Sequence, residues 1–498
     1  MLFLRSLDIN IKPKKETIMK YDLLIKGGEV VIPKVGIQRV DMAITGGKIV
    51  ALLERGSQSE SNAIIDASGR YVFPGAVDPH VHWGHSGSIA AEIPGESRAA
   101  AIGGYTTVIH YPIGNSFYDK RLGSVVPSAT ATVEAKKEKP SDLGEDFGYA
   151  ECKAKVEKLS YIDVAFHFKM SEAARINRID GFIRDWGISS FKFLMAYKNR
   201  PGAFNEFKDG WFFEALSTLS KYGRAVACVH AENDEVIEYF SEKVFKAGKQ
   251  GLSAWAETRP DFAEAEGVNR ALYFGELTRC PVYIVHLSAK RSLEELSRYK
   301  QKGTPAYAET CPQYLLQNID SPIGILGKVQ PPIRTQADCD SLWEGIANGL
   351  IDTIASDNCA TRLETKRGKG DIWTATSSFP GTATILPLLI SEGFHKRGIS
   401  LERIAELTSY NAANIFNLCP QKGTIMVGSD ADLTIVDLNL EQRVTPSLLQ
   451  GFCDYSIFDG WKVKGWPVMT LLRGEVIVKD GQLIAKESHG KYLPRNQF

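Results

Sequence analysis

From Phe73 to about Cys419, short apolar runs of strand character alternate with amphipathic stretches, and this alternation restricts the fold more than any other feature of the chain. The runs are TTVIHYP, DVAFHF, SSFKFLMAY, AVACVHAE, VYIVHLS, TPAYAE and DTIASD; between them lie helical stretches such as ECKAKVEKLS, GWFFEALSTLSKYG, DEVIEYFSEKVFKAG and AKRSLEELSRYKQKG. An earlier run, YVFPGAV, is stopped by Asp78 and Pro79 and brings the β units to eight. Strand followed by helix, repeated at this count, predicts an α/β protein whose main body is a TIM-like (β/α)8 barrel, read over residues 74–423.

Both ends of the chain follow a different grammar. YDLLIKGGEVVIP and VDMAITGGKIVAL place short strands around GG turns, and GTIMVGSDADLTIVDL with GWPVMTLLRGEVIVKDG does the same near the C-terminus. These are signs of antiparallel pairing. Neither module is long enough to bury a core alone, so residues 20–73 and 424–485 are read as one small β-sandwich domain. Residues 1–19 read as an N-terminal extension, with Met19 a second plausible start. Residues 486–498, polar and without apolar periodicity, read as a C-terminal arm that packs on a neighbour or stays mobile.

Lysine plus arginine and aspartate plus glutamate both number 59, so no basic field draws nucleic acid or a membrane surface, and a small-molecule partner is expected. The eight cysteines show no CxxC pair or framework spacing. That suits a reducing compartment, and with no apolar run of signal or spanning length the chain is expected to be cytoplasmic.

In a barrel of this kind chemistry collects where strands end. His80 and His82 end the first strand, two apart, so their side chains share a face. Lys192 lies in SSFKFLMAY, His230 ends AVACVH, His286 ends VYIVH, and Asp357 follows DTIAS. Imidazole and carboxylate are donors that a borderline divalent ion such as zinc accepts.

In order and spacing, PGAVDPHVH, SFKFLMAYK, CVHAEND, IVHLSAK, AETCPQYL, ASDNC and GTIMVGSDADLTIVDL resemble the cyclic amidohydrolases, the D-hydantoinase and dihydropyrimidinase family within the amidohydrolase superfamily. The resemblance runs from about Tyr21 to about Gly481. It implies two divalent ions per chain, zinc being the first choice: one on His80, His82 and Asp357, the other on His230 and His286, with an N6-carboxylated Lys192 bridging them. It further implies that a hydroxide held between the ions attacks a ring amide, that Asp357 serves as base and then acid, and that Tyr197 donates to the developing oxyanion. A homotetramer, or at least a homodimer, is implied as well.

Departures from the family bear on the substrate. Acid-specific relatives carry an arginine soon after HxH, whereas Trp83, Gly84 and His85 follow here, which favours a neutral ring. The asparagine that hydantoinases set against the imide is replaced by Ser377, with Phe379 nearby, and Gln330 stands where many relatives have serine before Pro-Pro. Gln330, Ser377 and Tyr197 are the expected substrate contacts. Asn358 occupies a position where histidine is common and is not read as a ligand. The stretch from Trp83 to Ser97 reads as a loop at the mouth, on which His85 and Glu92 are solvated residues within reach of the pocket. Two alternatives stand beside this reading: an amidohydrolase of another specificity, such as allantoin or a linear amide, and a non-catalytic assembly protein of the same fold.

Overall fold

The computed structural model describes residues 20–84, 87–112, 148–198 and 207–495. The extension 1–19 and His85 lie outside the described residues.

The terminal segments form two sheets over a shared apolar core. In the first, Tyr21–Lys26 lies between Val40–Thr45, antiparallel, and Ser61–Asp66, parallel, with Lys48–Glu54 outermost. The turn between Val40–Thr45 and Lys48–Glu54 is Gly46-Gly47, at φ 58° and 75°, the backbone that a two-residue hairpin requires and that glycine adopts at least cost. In the second sheet Leu433–Arg443 pairs with Lys462–Leu472 on one side and with Tyr71–Pro74 on the other, in register from Leu433 opposite Pro74 to Val436 opposite Tyr71. A strand from near the C-terminus thus completes one from near the N-terminus. Leu23, Ile25, Met42, Ile44, Val72, Leu433, Ile435 and Leu471 are buried together between the sheets.

Tyr71–Pro74 runs through Gly75 directly into Ala76–Val81, the first strand of the parallel array. Each later strand pairs in parallel with the one before it: Tyr105–His110, then Asp163–Phe166 continued by Phe168–Met170, Ser190–Leu194, Val226–His230, Val282–Ile284, Ala306–Thr310 and Thr353–Ile354. His167, between the two parts of the third strand, keeps the ladder by donating its N–H to His110 O. Beyond the last strand the backbone returns to the first: His82 N donates to Asn358 O at 2.7 Å and Asn358 N to His80 O at 3.2 Å. Phe191 and Phe193 face the helix-side core, while Val77, Ile109, Ala165, Cys228, Tyr283 and Val285 form a separate interior cluster around Phe416. Side chains two apart share a face, so Ser190 and Lys192 point to the interior, opposite Phe191 and Phe193.

Two expectations are corrected. The stretch after Trp83 is not all loop: Ile89–Ile102 is a helix, with Pro94 and Gly95 inside it. The proline and glycine read as breakers, yet Ile93, Ala99, Ala100 and Ile102 bury a face, and Gly95 admits the Phe452 backbone, which would lie 2.7 Å from an added Cβ. The described part of the C-terminal arm, residues 486–495, packs on its own chain. Val164 N donates to Lys491 O and Leu493 N to Val164 O, both at 2.9 Å. Leu493 enters the interior cluster, and the buried Arg495 donates to Ser190 Oγ at 2.8 Å and to Phe166 O. Only two adjacent apolar residues carry this docking, too few for periodicity to reveal.

At the junction of the two units sits a buried charge cluster. Lys422 Nζ donates to Asp163 and Asp432 at 2.7 Å and lies 3.0 Å from Asp430, while Arg473 reaches Asp163. It joins the start of the third parallel strand to the turn before Leu433–Arg443.

Candidate metal centre

His80 is wholly buried at the end of its strand, and its two ring nitrogens face different partners. Nδ1 lies 2.5 Å from Glu309 Oε1; once ionised, that carboxylate can only accept, and it then holds the hydrogen on Nδ1 and leaves the lone pair on Nε2. That Nε2 is 3.1 Å from His82 Nε2, 3.3 Å from Asp357 Oδ1 and 3.4 Å from Lys192 Nζ. His82 Nε2 is 3.2 Å from the same Asp357 oxygen, and the donor atoms of His80, His82 and Asp357 all lie within 4.8 Å of one another. Two imidazole nitrogens and a carboxylate aimed at one point suit a divalent cation.

A second pair of donors converges alongside. His230 Nδ1 and His286 Nε2 are 2.8 Å apart. His230 Nε2 is 2.6 Å from Glu232 Oε2, so the same argument puts the proton outward and the lone pair inward. The His286 ring stacks on His80 with centroids 5.4 Å apart, which brings the two groups together around Lys192. The buried His286 Nδ1 has no hydrogen-bond partner among the described residues.

Tyr197, His286 and Asp357 are at φ 72°, 41° and 53°, a left-handed backbone that costs non-glycine residues energy and persists where surroundings impose it. Asp234 imposes it on Tyr197, whose N–H donates to Oδ1 at 2.6 Å and whose hydroxyl stands 3.2 Å from His230 Nε2. The chain after His230 is held from behind by Gly267 of the helix Asp261–Thr278, where an added Cβ would lie 2.6 Å from the Ala231 carbonyl carbon.

Burial sets most of the protonation states. It holds His80 and His286 well below the usual imidazole range and lowers His230 too, despite Glu232. Burial also lowers the Lys192 ammonium, against the pull of Asp357 and Glu309. Burial pushes the Asp357 carboxyl up, but His80 and His82 outweigh it and the net direction is down. Glu309, with its burial dominant, is pushed up to about 8. Imidazoles that burial keeps neutral at His80, His230 and His286, an ionised carboxylate and an amine inclined to shed its proton form a donor set that fits metal ions.

The remaining expected residues are placed as follows. Gln330 and Ser377, both half-buried, lie on two segments held side by side by Lys366, whose Nζ donates to Lys328 O at 2.8 Å and to Thr376 O at 2.7 Å. Glu92 is not a solvated residue: it is wholly buried in the helix and accepts from Gly84 N at 2.6 Å, closing the turn after HxH. Trp83 is buried against His110 with ring centroids 5.7 Å apart. Asn358 donates to Glu96 at 2.8 Å and accepts from Gly381 N, and so holds the turn after Asp357. Sequence reasoning passed over Glu309 and Glu232. Each is an acid at or just beyond a strand end, on the same side as the expected ligands, and that placement was the available signal.

The amidohydrolase family matches residues 71–477. An L-hydantoinase of Paenarthrobacter aurescens is 32% identical over 488 residues, covering 96% of this chain and 99% of that protein. A D-hydantoinase of Ralstonia pickettii is 34% identical over 489 residues, with 96% and 99% covered. Among solved structures, the L-hydantoinase (dihydropyrimidinase) of Arthrobacter aurescens superposes with a TM-score of 0.84 at 31% identity, covering 95% of this chain and 99% of that one. The dihydropyrimidinase of Brevibacillus agri NCHU1002 gives 0.83 at 29% identity, covering 96% and 99%.

Proposed function

The chain belongs to the amidohydrolase family, in the branch of the hydantoinases and dihydropyrimidinases, and from that membership we propose that it hydrolyses a neutral cyclic amide or ureide of hydantoin or dihydropyrimidine type. It is a hydrolase acting on carbon–nitrogen bonds of cyclic amides. The observation that carries the proposal is the convergence of the His80–His82 pair at 3.1 Å and the His230–His286 pair at 2.8 Å, with Lys192 Nζ 3.4 Å from His80.

His80, His82 and Asp357 would hold one divalent ion and His230 with His286 a second, zinc being the first choice, with Lys192 between them as an N6-carboxylated bridge. Divalent ions so held make water nucleophilic near neutral pH and polarise a bound carbonyl. The residues of the chain do the rest. Glu309 and Glu232 keep the imidazole protons on the outer nitrogens. Burial favours the neutral Lys192 amine, the form whose lone pair adds carbon dioxide. Asp357, ionised at neutral pH, takes a proton from the attacking water and returns it to the leaving nitrogen. The Tyr197 hydroxyl donates to the oxygen on which charge develops. Gln330 and Ser377, on the segments joined by Lys366, face the ring.

Residues 74–423 are taken as the TIM-like barrel, a reading supported by the return from Asn358 to His80 and His82, and residues 20–73 with 424–485 as the sandwich domain. A homotetramer or homodimer is proposed, supported by exposed Phe213, Tyr273 and Leu277 on the helices Asp209–Leu219 and Asp261–Thr278. A cytoplasmic location is proposed as well; all eight cysteines are free thiols, and no helix among the described residues is long and apolar enough to cross a membrane.

The test joins metal counting by emission spectroscopy to initial rates on a panel of hydantoins and dihydropyrimidines. Two ions per chain and ring opening are expected. Protein with only trace metal, or inert towards every ring, would overturn the proposal.

A further inference from the structure

Three parts of the site that are remote in sequence meet on one buried side chain, Arg259. Its guanidinium donates to Glu232, the carboxylate that fixes the outer nitrogen of His230. Its carbon lies 5.4 Å from the centre of the Tyr197 ring and 5.8 Å from that of Trp255, within the reach of cation–π attraction. Trp255 Nε1 in turn donates to Val329 O at 2.8 Å, the residue before Gln330. Arg259 is 4% exposed. Its backbone is pinned separately: Arg334 donates to Arg259 O and pairs with Glu264 at 2.9 Å, and Glu264 accepts from Ser288 N at 2.9 Å, two residues after His286.

We infer that Arg259 is the positioning residue of the second ion and of the donor tyrosine, acting through Glu232 on His230 and through its flat face on Tyr197. The inference rests on the metal reading above. A guanidinium suits this task where an ammonium does not. It is planar, so its face can meet the Tyr197 and Trp255 rings while one Nη at its edge engages the carboxylate; lysine keeps the charge and loses the face. A carboxylate set behind a ligand histidine orients the ring and raises its basicity, and disturbing such a partner costs about 10- to 100-fold in metal affinity. Glu232 without Arg259 is a buried carboxylate with an imidazole for company, free to turn. His230 would then lose its fixed direction, whereas His80 and His82, oriented by Glu309, would keep theirs.

The experiment measures retention of each ion in chelator buffers of graded strength, together with kcat and KM, for wild type, R259K, E232Q and the double variant. Circular dichroism and thermal unfolding report whether each is folded. A wild-type chain that retains no ion overturns the metal reading itself and is seen before any variant is made. Given two ions in wild type, R259K and E232Q are each expected to weaken one ion by about 10- to 100-fold while the other is held as in wild type. The double variant should be no worse than the poorer single one, because both act on the same histidine. R259K should also lower kcat more than it raises KM, since Tyr197 serves the transition state. Retention of both ions within about twofold, equal weakening of both, or additive losses in the double variant would make Arg259 a general scaffold residue and overturn the assignment.

Discussion

Glu309 Oε1 stands 2.5 Å from His80 Nδ1, across 229 positions of sequence. The same carboxylate accepts from Tyr283 Oη at 2.9 Å and from His286 N at 2.9 Å. One acid therefore directs the ring of His80 in the first converging group and fixes the backbone of His286 in the second.

Replacing Glu309 by glutamine keeps the volume but supplies an amide that can donate to His80 Nδ1 and draw the proton to the opposite nitrogen. The lone pair would then face away from Asp357. E309Q is expected to fold and to bind the ion on His80, His82 and Asp357 about 10- to 100-fold more weakly. Equilibrium dialysis with metal analysis reads this, and unchanged affinity would show that the contact does not set the tautomer.

Lys192→Ala removes the side chain proposed to bridge the two groups once carboxylated. It is expected to lose nearly all activity and most of one ion. Short carboxylic acids added to the buffer should restore part of both by placing a carboxylate where the carbamate would be. Full activity in the variant, or loss with no response to any acid, would count against the bridging role.

The Lys422 cluster makes a prediction about stability. Burial pushes the Lys422 ammonium down, but Asp432, Asp163 and Asp430 outweigh it, and its pKa is raised from 10.5. A raised lysine contributes fully below about pH 10.4 and loses that contribution as pH climbs toward the folded value. Asp430 is pushed up by burial and pulled down further by Lys422, for a net lowering from 3.8, so its contribution holds above that pH and fades as acid is added. Asp432, wholly buried, moves upward instead, and the acid limb falls to Asp430. K422M takes the shared ammonium from three carboxylates: Asp163 keeps Arg473 and Asp430 keeps Lys48, while buried Asp432 is left with the Arg473 N–H, and the change is expected to cost about 3–5 kcal/mol at neutral pH, with a smaller difference from wild type near pH 3. Urea unfolding at the two pH values measures it; an equal cost at both would place the effect in packing.

The expected ligand residues were legible in the sequence because they stand in or just after apolar runs: His80, Lys192 and His230 lie within strands, and His82, His286 and Asp357 follow one to three residues beyond them. The hairpin at Gly46-Gly47 was legible for a similar local reason. What escaped depends on partners far along the chain. Glu309 and Glu232 read as ordinary acids until a histidine is found opposite them, and Glu92 until the turn at Gly84 folds back onto it. Arg495 reads as part of a polar tail, since its partners Ser190 and Phe166 lie some three hundred positions away. The third parallel strand, interrupted at His167, reads as a single run because its ladder survives the interruption.

The last prediction concerns the charge of the ring. A substrate carboxylate needs a cation with protons to spare, and among the described residues the buried cations Lys366, Lys328, Arg259 and Arg334 are already engaged. Lys366 donates to Lys328 O and Thr376 O, and Lys328 to Trp373 O at 2.9 Å. Arg259 is held by Glu232 and Arg334 by Glu264. The stretch from Trp83 to Ser97 contains no lysine and no arginine, and Trp83 is turned into the core against His110. Bringing an anionic substituent into such a site would leave it desolvated and poorly paired, at a cost of about 1.5–3 kcal/mol for each charged hydrogen bond not made. Hydrolysis of a neutral cyclic ureide is therefore expected to exceed that of dihydroorotate by at least about tenfold, since 1.4 kcal/mol is a factor of ten. Initial rates at equal, subsaturating concentrations decide it. A preference for dihydroorotate would show that one of these cations leaves its present partner to clamp the carboxylate, with Lys328 the first to replace by methionine.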